Sequence, residues 1–239
     1  MNVVVVGASG ATGRLLVDQL LAKGHTVKVV VRTKINIPEQ VLQHENLTVM
    51  KASILELNQD NLGELLQGVQ AIACCLGHNL SFEGMFLPPR RLVTESVRRL
   101  CEAAKASDNE KPMKFVLMNT TGVRNRDLDE KISFGQKIVI GMLRALLPPH
   151  ADNEDAADYL RSQLGQYNKD IEWTAVRPDG LIDREKVTHY DLHESPTRSA
   201  IFDAGETSRI NVAHFMASLI SEEALWMQWK GRMPVIYDG

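Results

Sequence analysis

Three glycines near the start of the chain carry its strongest chemical signal. Gly7, Gly10 and Gly13 fall at every third position of "GASGATGR", directly behind the apolar run "VVVV". Only Ala8, Ser9, Ala11 and Thr12 separate them, so little side chain would cover the backbone amides. A diphosphate can approach such a main chain closely, and the N-terminus of a following helix adds unpaired N–H groups and partial positive charge. The segment reads as a dinucleotide-binding loop, set against a tight strand–helix turn that holds no ligand. Arg32 carries the second signal. It ends the next apolar run, "TVKVVVR", 19 residues after Gly13. An NAD site places a carboxylate near the end of that strand to accept bonds from ribose hydroxyls. Here Arg32 is followed by Thr33 and Lys34, with no acid. A guanidinium fork matches two oxygens of a 2′-phosphate, so the expected cofactor is NADP(H).

These residues need elements to position them. Val3 to Val6 are β-branched and continuous, as in a strand buried on both faces of a parallel sheet. "ATGRLLVDQLLAKGH" turns Leu15, Leu16, Leu20 and Leu21 to one side of a helix, which Gly24 stops. Strand, loop, helix and strand within about 30 residues make a βαβ unit. Further strands are expected over Asn46–Met50, in "QAIACCLG", in "MKFVLMNTTG" and in "IEWTAVRPDGLID", the last broken at Pro178. Between them lie a short helix capped near Asn58 and a long one after Pro88 and Pro89. Its arginines, Arg90, Arg91, Arg98 and Arg99, read as a solvated face. The alternation implies an α/β fold with a doubly wound parallel sheet, expected as one domain over residues 1–239. Ligands of such sheets bind at the carboxyl ends of the strands. That gathers Gly7 to Gly13, Arg32, Ala52 with Ser53, Leu76 to His78, Met118 to Thr121 and Arg177 to Leu181.

"GASGATG", with its G-x-x-G-x-x-G spacing, and "VRPDGL" resemble the atypical short-chain dehydrogenase/reductase family. Within it they are most similar to the NmrA-like and biliverdin reductase B (flavin reductase)-like branch. The resemblance runs from Met1 to about Ile220. It implies a Rossmann-like sheet, with the C-terminal stretch from "ETSRINVAHF" to "VIYDG" as a small substrate-side lobe. It places Ala52 and Ser53 beside the adenine, and Cys75, Leu76, Gly77 and His78 along the ribose and diphosphate. Met118 and Asn119 would follow the fifth strand beside the cofactor. Thr120 takes the position of a family Ser or Thr that could hydrogen-bond the acceptor or the nicotinamide amide, unless it only caps backbone. Arg177, Pro178, Asp179, Gly180 and Leu181 would pass beside the nicotinamide.

One family feature is missing. Carbonyl-reducing members use Y-x-x-x-K, in which Lys lowers the pKa of the proton-transferring Tyr. The four tyrosines are Tyr159, Tyr167, Tyr190 and Tyr237, and the residues four onward from the first three are Gln163, Ile171 and Glu194. With no tuned acid for an isolated alkoxide, the expected reaction is hydride transfer from NADPH to a small conjugated acceptor such as a flavin, quinone or bilin. The rival is a non-catalytic NADP(H) sensor of NmrA-like type. "THYDLHE" would place His189, Asp191 and His193 on one face of a strand, but in a variable region where a substrate-facing or exposed segment is the simpler reading. No metal is expected, and neither His189 nor His193 is singled out as proton donor. In "GQKIVIGMLRALLPPH", Ile138, Met142, Ala145 and Leu146 form a helical apolar stripe ended by Pro148 and Pro149. It could serve as core, lid or interface.

Composition narrows the class. The net charge of −3 over 239 residues gives no reason to expect nucleic acid or an anionic membrane as partner. The three cysteines do not form a disulfide framework, and adjacent Cys74 and Cys75 read as small strand hydrophobes. "MNVVVV" lacks the basic region and apolar length of a secretory leader. No run approaches the ~20 apolar residues of a membrane helix. A cytoplasmic protein is expected.

Overall fold

The computed structural model describes residues 1–32, 38–78, 87–107, 109–130 and 134–239; Thr33 and Lys34 lie outside the described residues. Strand β1 (Asn2–Val6) holds Val3, Val4, Val5 and Val6 with no solvent exposure. Its pleat sends Val4 and Val6 into one core layer and Val3 and Val5 into the other. That is why four consecutive valines are needed: successive strand residues face opposite sides, and here both sides are covered. Helix α1 (Ala11–Ala22) and strand β2 (Thr26–Val31) complete the βαβ unit. A single turn, α2 (Glu39–Leu42), precedes β3 (Leu47–Lys51). Helix α3 (Gln59–Leu66) is capped by Asn58, whose side chain accepts the Asn61 amide. After β4 (Ala71–Cys74) come α4 (Leu92–Lys105) and β5 (Met113–Met118).

Pro148 and Pro149 divide the next region as read from the sequence. Helix α5 (Phe134–Leu146) stops before them, and they open α6 (Pro148–Asp158), where a missing N–H costs nothing. A π-helical turn (Tyr159–Leu164) leads into β6 (Ile171–Pro178). Short strands β7 (Gly180–Ile182), β8 (Tyr190–His193) and β9 (Glu206–Ser208) follow, then α7 (Arg209–Ser221), α8 (Glu223–Trp229) and β10 (Val235–Asp238).

The main sheet has the order β3-β2-β1-β4-β5-β6-β10-β8. All neighbours in it are parallel except β10 and β8. The order reverses between β1 and β4, the topological switch point where such sheets bind ligands. One core layer packs Leu62, Leu66, Val97, Leu100, Phe115 and Trp173, with Ala156 and Leu160 of the α6 region. The other packs Leu16, Leu20, Phe215, Trp226 and Ile236.

The C-terminal stretch, expected as a small substrate-side lobe, packs in large part onto and into the main sheet. Nine residues of α7 are buried, among them Val212, Phe215, Met216 and Leu219. A helix this apolar around its circumference must lie inside, and α7 packs on the sheet layer that holds α1. Strand β10 joins the main sheet beside β6. Only the β7–β9 ladder forms a separate two-stranded sheet.

Candidate functional site

The glycine loop joins β1 to α1 at the switch point, and its three glycines serve different ends. Gly7 has φ +78°, and a Cβ there would stand 2.4 Å from the carbonyl carbon and oxygen of Cys75. A Cβ at Gly13 would stand 2.2 Å from the Gly7 oxygen. These two positions let loop, helix and the chain after β4 pack on one another. Gly10 is exposed, and its Cβ would meet only the Gly7 oxygen, at 3.2 Å. Gly10 is also the N-cap of α1, with no capping side chain and no acid in the first helical turn. The positive helix end and its unpaired amides are therefore left to an outside anion. Ala8 and Thr12 are buried, Ser9 is half-buried and Ala11 is exposed.

Beside the loop lies a small cavity lined by Val6, Val30, Arg32, Ala52, Ser53, Ile54, Leu76, Leu92 and Ser96. Arg32 stands exposed at the end of β2. Ala52 and Ser53 start the turn after β3, where the Ser53 oxygen accepts the Glu56 amide at 2.9 Å. Ser96 is fully buried, yet its hydroxyl has no hydrogen-bond partner. An orphaned hydroxyl in an apolar slot, an arginine at its rim and a glycine cradle next to it fit the adenosine diphosphate half of a dinucleotide.

The chain after β4 is fixed from a distance. Cys75 donates its amide to the Val6 oxygen at 2.9 Å. Gly77 is exposed, and the His78 side chain is almost fully enclosed. His78 Nε2 donates to Asp152 Oδ2 at 2.8 Å. The same carboxylate accepts the amides of Val93 and Thr94 at 2.8 and 2.9 Å, so a residue of α6 caps the N-terminus of α4. Burial opposes the charge of Asp152, but the bonds from His78, Thr94 and the two amides outweigh it and hold its carboxyl below the usual range. Burial pushes the Cys74 thiol up to about 12 and the Cys75 thiol higher still, so neither is a reactive thiolate.

At the end of β5, Met118 is half-buried and Asn119 is spent internally: its Nδ2 donates to the Asn153 oxygen at 3.0 Å and its Oδ1 accepts the Thr120 amide at 2.9 Å. Thr120 Oγ1 accepts the Gly122 amide at 3.3 Å, which leaves its O–H as a donor. A Cβ on Gly122 would stand 3.4 Å from His150 Cε1 and 3.8 Å from Thr120 Oγ1. His150 thus comes to the β5 end from α6. Sequence reasoning missed it because only long-range packing brings it there.

Arg177 corrects the expectation of a side chain at the cofactor. It is fully buried, and its guanidinium donates to the carbonyls of Met233, Val123 and Glu194 and to Glu130 Oε1. Four of its five N–H donors are engaged inside the protein, and the buried side chain is held away from the strand end. Its neighbours do reach the strand end. Pro178 is buried, and its oxygen accepts the Thr121 amide at 3.0 Å. Asp179 Oδ2 accepts the Gly205 amide at 3.0 Å, the Gly180 amide donates to the Gly205 oxygen at 2.9 Å, and Leu181 pairs with Thr207 in the small ladder.

The remaining candidates separate. His189 and Asp191 are exposed and 3.2 Å apart, while His193 packs at a tilt against Tyr237 with ring centroids 5.8 Å apart. Among the described residues no three His, Cys, Asp or Glu side chains form a group able to hold a metal. Arg98 is engaged by Glu95 and Glu102, Arg91 by Asp155, and Arg99 by the carbonyls of Leu55 and Leu57. Met142 and Leu146, two members of the α5 stripe, are 50% and 67% exposed, so they do not pack in the core. No helix among the described residues is long and apolar enough to cross a membrane.

A parallel sheet with a glycine loop at its switch point defines a Rossmann-like dinucleotide-binding protein. The chain belongs to the NAD(P)H-binding family, whose sequence pattern matches residues 7–223. It is 28% identical over 207 residues to the UPF0659 protein YMR090W of Saccharomyces cerevisiae, covering 85% of this chain and 86% of the yeast one. It is 26% identical over 189 residues to an uncharacterised chloroplastic protein of Arabidopsis thaliana. That match covers 75% of this chain but 59% of the longer plant protein. Three solved structures share the fold. A Streptococcus pneumoniae protein provisionally assigned as an NADH-flavin reductase superposes with a TM-score of 0.69 at 17% identity, covering 100% of both chains. The anaerobilin reductase ChuY of Escherichia coli O157:H7 gives 0.69 at 14% identity, covering 100% of this chain and 97% of the other. A short-chain dehydrogenase/reductase of Veillonella parvula in complex with NADP gives 0.70 at 16% identity, covering 99% and 94%.

Proposed function

We propose that this protein is an NADPH-dependent oxidoreductase of the atypical short-chain type, acting on a small conjugated acceptor such as a flavin, quinone or bilin. The observation that carries the reading concerns the tyrosines. Burial pushes the hydroxyls of Tyr159 and Tyr190 up to about 12 and raises that of Tyr237. A carbonyl-reducing tyrosine needs the opposite shift, supplied by a nearby lysine. Acceptors that spread negative charge over a conjugated system do not need a lysine-tuned tyrosine. The flavin and anaerobilin reductases that share the fold support this acceptor class.

In this reading the bound cofactor supplies a hydride, and the chain supplies its seat. The Gly7–Gly13 loop holds the diphosphate. Arg32, with Thr33 beyond it, takes the 2′-phosphate, and the NADP complex of the Veillonella protein supports that choice. Ala52, Ser53 and Ser96 line the adenine slot, and the chain from Cys75 to His78 borders the ribose. Met118, Asn119 and Thr120 face Pro178, Asp179, Gly180 and Leu181 across the nicotinamide end. The exposed Met142 and Leu146 favour a second reading, in which an NmrA-like NADP(H) sensor offers α5 to a partner.

Stopped-flow oxidation of NADPH against flavins, quinones, bilins and simple aldehydes tests the choice. Rapid oxidation by the conjugated acceptors and slow oxidation by aldehydes is expected. Tight NADPH binding without turnover, together with a cofactor-dependent change in assembly, would establish the sensor instead.

A further inference from the structure

The nicotinamide end contains an imidazole that the proposed reaction has not yet used. His150 is the third residue of α6 and is half-buried. Its Nε2 is shielded from water and has no hydrogen-bond partner. Leaving a buried polar atom unpaired is costly, so such an atom calls for an explanation, and a catalytic role is one. The gap above Gly122 brings the group to Thr120: a Cβ there would stand 3.4 Å from His150 Cε1, 3.8 Å from its Nδ1 and 3.8 Å from Thr120 Oγ1.

The helix that carries His150 is held on two sides. Asp152 binds His78 after β4 and the first amides of α4, and the Asn153 oxygen accepts from Asn119 after β5. Both anchors follow His150 within one helical turn and hold this end of α6 against the chain after β4 and β5. A catalytic group needs this kind of support, because small displacements cost rate steeply.

We propose that His150 is the acid of the reaction, giving its Nε2 proton to the acceptor atom that gains negative charge as the hydride arrives. The proposal rests on the oxidoreductase reading above. The balance is simple. NADPH is oxidised to NADP+ by loss of a hydride, the acceptor gains that hydride and one proton, and imidazolium becomes neutral imidazole. Solvent returns the proton after the products leave.

The charged groups acting on His150 are Glu154, on the next turn of α6, and Arg144 of α5, themselves paired at 3.3 Å. Thr120 and Gly122 face it from the β5 side without charge. Burial lowers the His150 pKa below 6.5; Glu154 opposes that shift and Arg144 adds to it. Imidazolium is the active form, so turnover should be highest in acid and fall as pH rises through the His150 titration.

The test compares the wild type with His150→Gln, using NADPH and flavin mononucleotide as the probe. The variant should keep its NADPH affinity within about twofold by fluorescence titration. A positioned acid contributes about 10²–10⁴-fold, so its turnover should fall by about 10²-fold and lose the pH dependence. A variant with wild-type turnover and pH profile overturns the acid while leaving the oxidoreductase intact. A wild type that oxidises NADPH with none of the flavins, quinones, bilins or aldehydes overturns both readings. Because the variant could fold poorly, a second measurement uses the wild type alone. Its His150 imidazole resonance, followed by NMR, should titrate below pH 6.5 with the same midpoint as turnover. A midpoint that differs from the kinetic one overturns the proposal.

Discussion

Arg177 and Glu130 form an ion pair inside the protein, with Nη2 and Oε1 2.8 Å apart and side chains 0% and 3% exposed. The pair does more than cancel charge. Glu130 Oε2 accepts the Asn125 amide at 2.8 Å, and Arg177 also binds the Val123 carbonyl, so the chain from residue 123 to residue 130 is tied to β6. That chain continues directly from Thr120 and Gly122. The pair therefore sets the height of the β5 end over the sheet.

Removing one partner would strand the other charge in the core. Arg177→Met should lower stability by about 3–5 kcal/mol. Lysine could not restore it, since one ammonium cannot reach the four acceptors that the guanidinium fork serves. Urea denaturation checks this. If the double variant Arg177→Met with Glu130→Gln recovers a large part of the loss, the stranded carboxylate was its cause. A loss below 1 kcal/mol in Arg177→Met would show that the pair is not a structural anchor.

The glycines should divide by effect. Gly7→Ala forces a Cβ within 2.4 Å of the Cys75 carbonyl at a backbone φ of +78°, so both space and conformation oppose it. That variant should lose thermal stability and cofactor together. Gly10→Val meets only the Gly7 oxygen at 3.2 Å, which a shift of a few tenths of an ångström relieves. It should keep a near-native melting temperature and lose NADPH binding. Circular dichroism melts paired with NADPH fluorescence titrations separate the two. Gly10→Val with unchanged affinity would remove the loop from the diphosphate site.

Arg32 should decide between the two dinucleotides. Charge-assisted hydrogen bonds are worth about 1.5–3 kcal/mol, so Arg32→Ala should weaken NADPH binding by about 10- to 100-fold. NADH affinity should hardly change, because NADH has no 2′-phosphate to lose. Equal losses for the two cofactors would place Arg32 elsewhere.

These local features were legible because each is written in neighbouring residues. Four valines, a glycine spacing and an arginine in place of an acid need no tertiary information. The Asn58 cap and the proline boundary between α5 and α6 were readable for the same reason. What escaped depends on distance along the chain. His78 and Asp152 stand 74 residues apart, and nothing near either announces the other. The unpaired Ser96 hydroxyl and the approach of His150 to Gly122 arise only when helices pack on strand ends. Strand β9 has three residues, too few for a periodic pattern. Arg177 misled because its motif fits a turn at the cofactor, whereas its own side chain points into the interior.

The His78–Asp152 contact supplies the last prediction, a dependence on acid. The Asp152 carboxyl lies below its ordinary 3.8 in the folded protein. The unfolded chain therefore takes up its proton at a higher pH than the folded one does. Stability from this group is fully present above the unfolded value and is lost as pH falls through the folded value. Asp152→Asn keeps the shape and part of the hydrogen bonding but removes the charge that titrates. Near pH 7 it should cost about 1.5–3 kcal/mol, the range for a hydrogen bond to a charged group. Below about pH 4 the cost should shrink, because wild-type Asp152 is then losing its charge as well. Urea midpoints measured from pH 2 to pH 7 for both proteins give the difference directly. A difference that stays constant across that range would show that the Asp152 carboxylate is not what fastens α6 to His78 and to the first turn of α4.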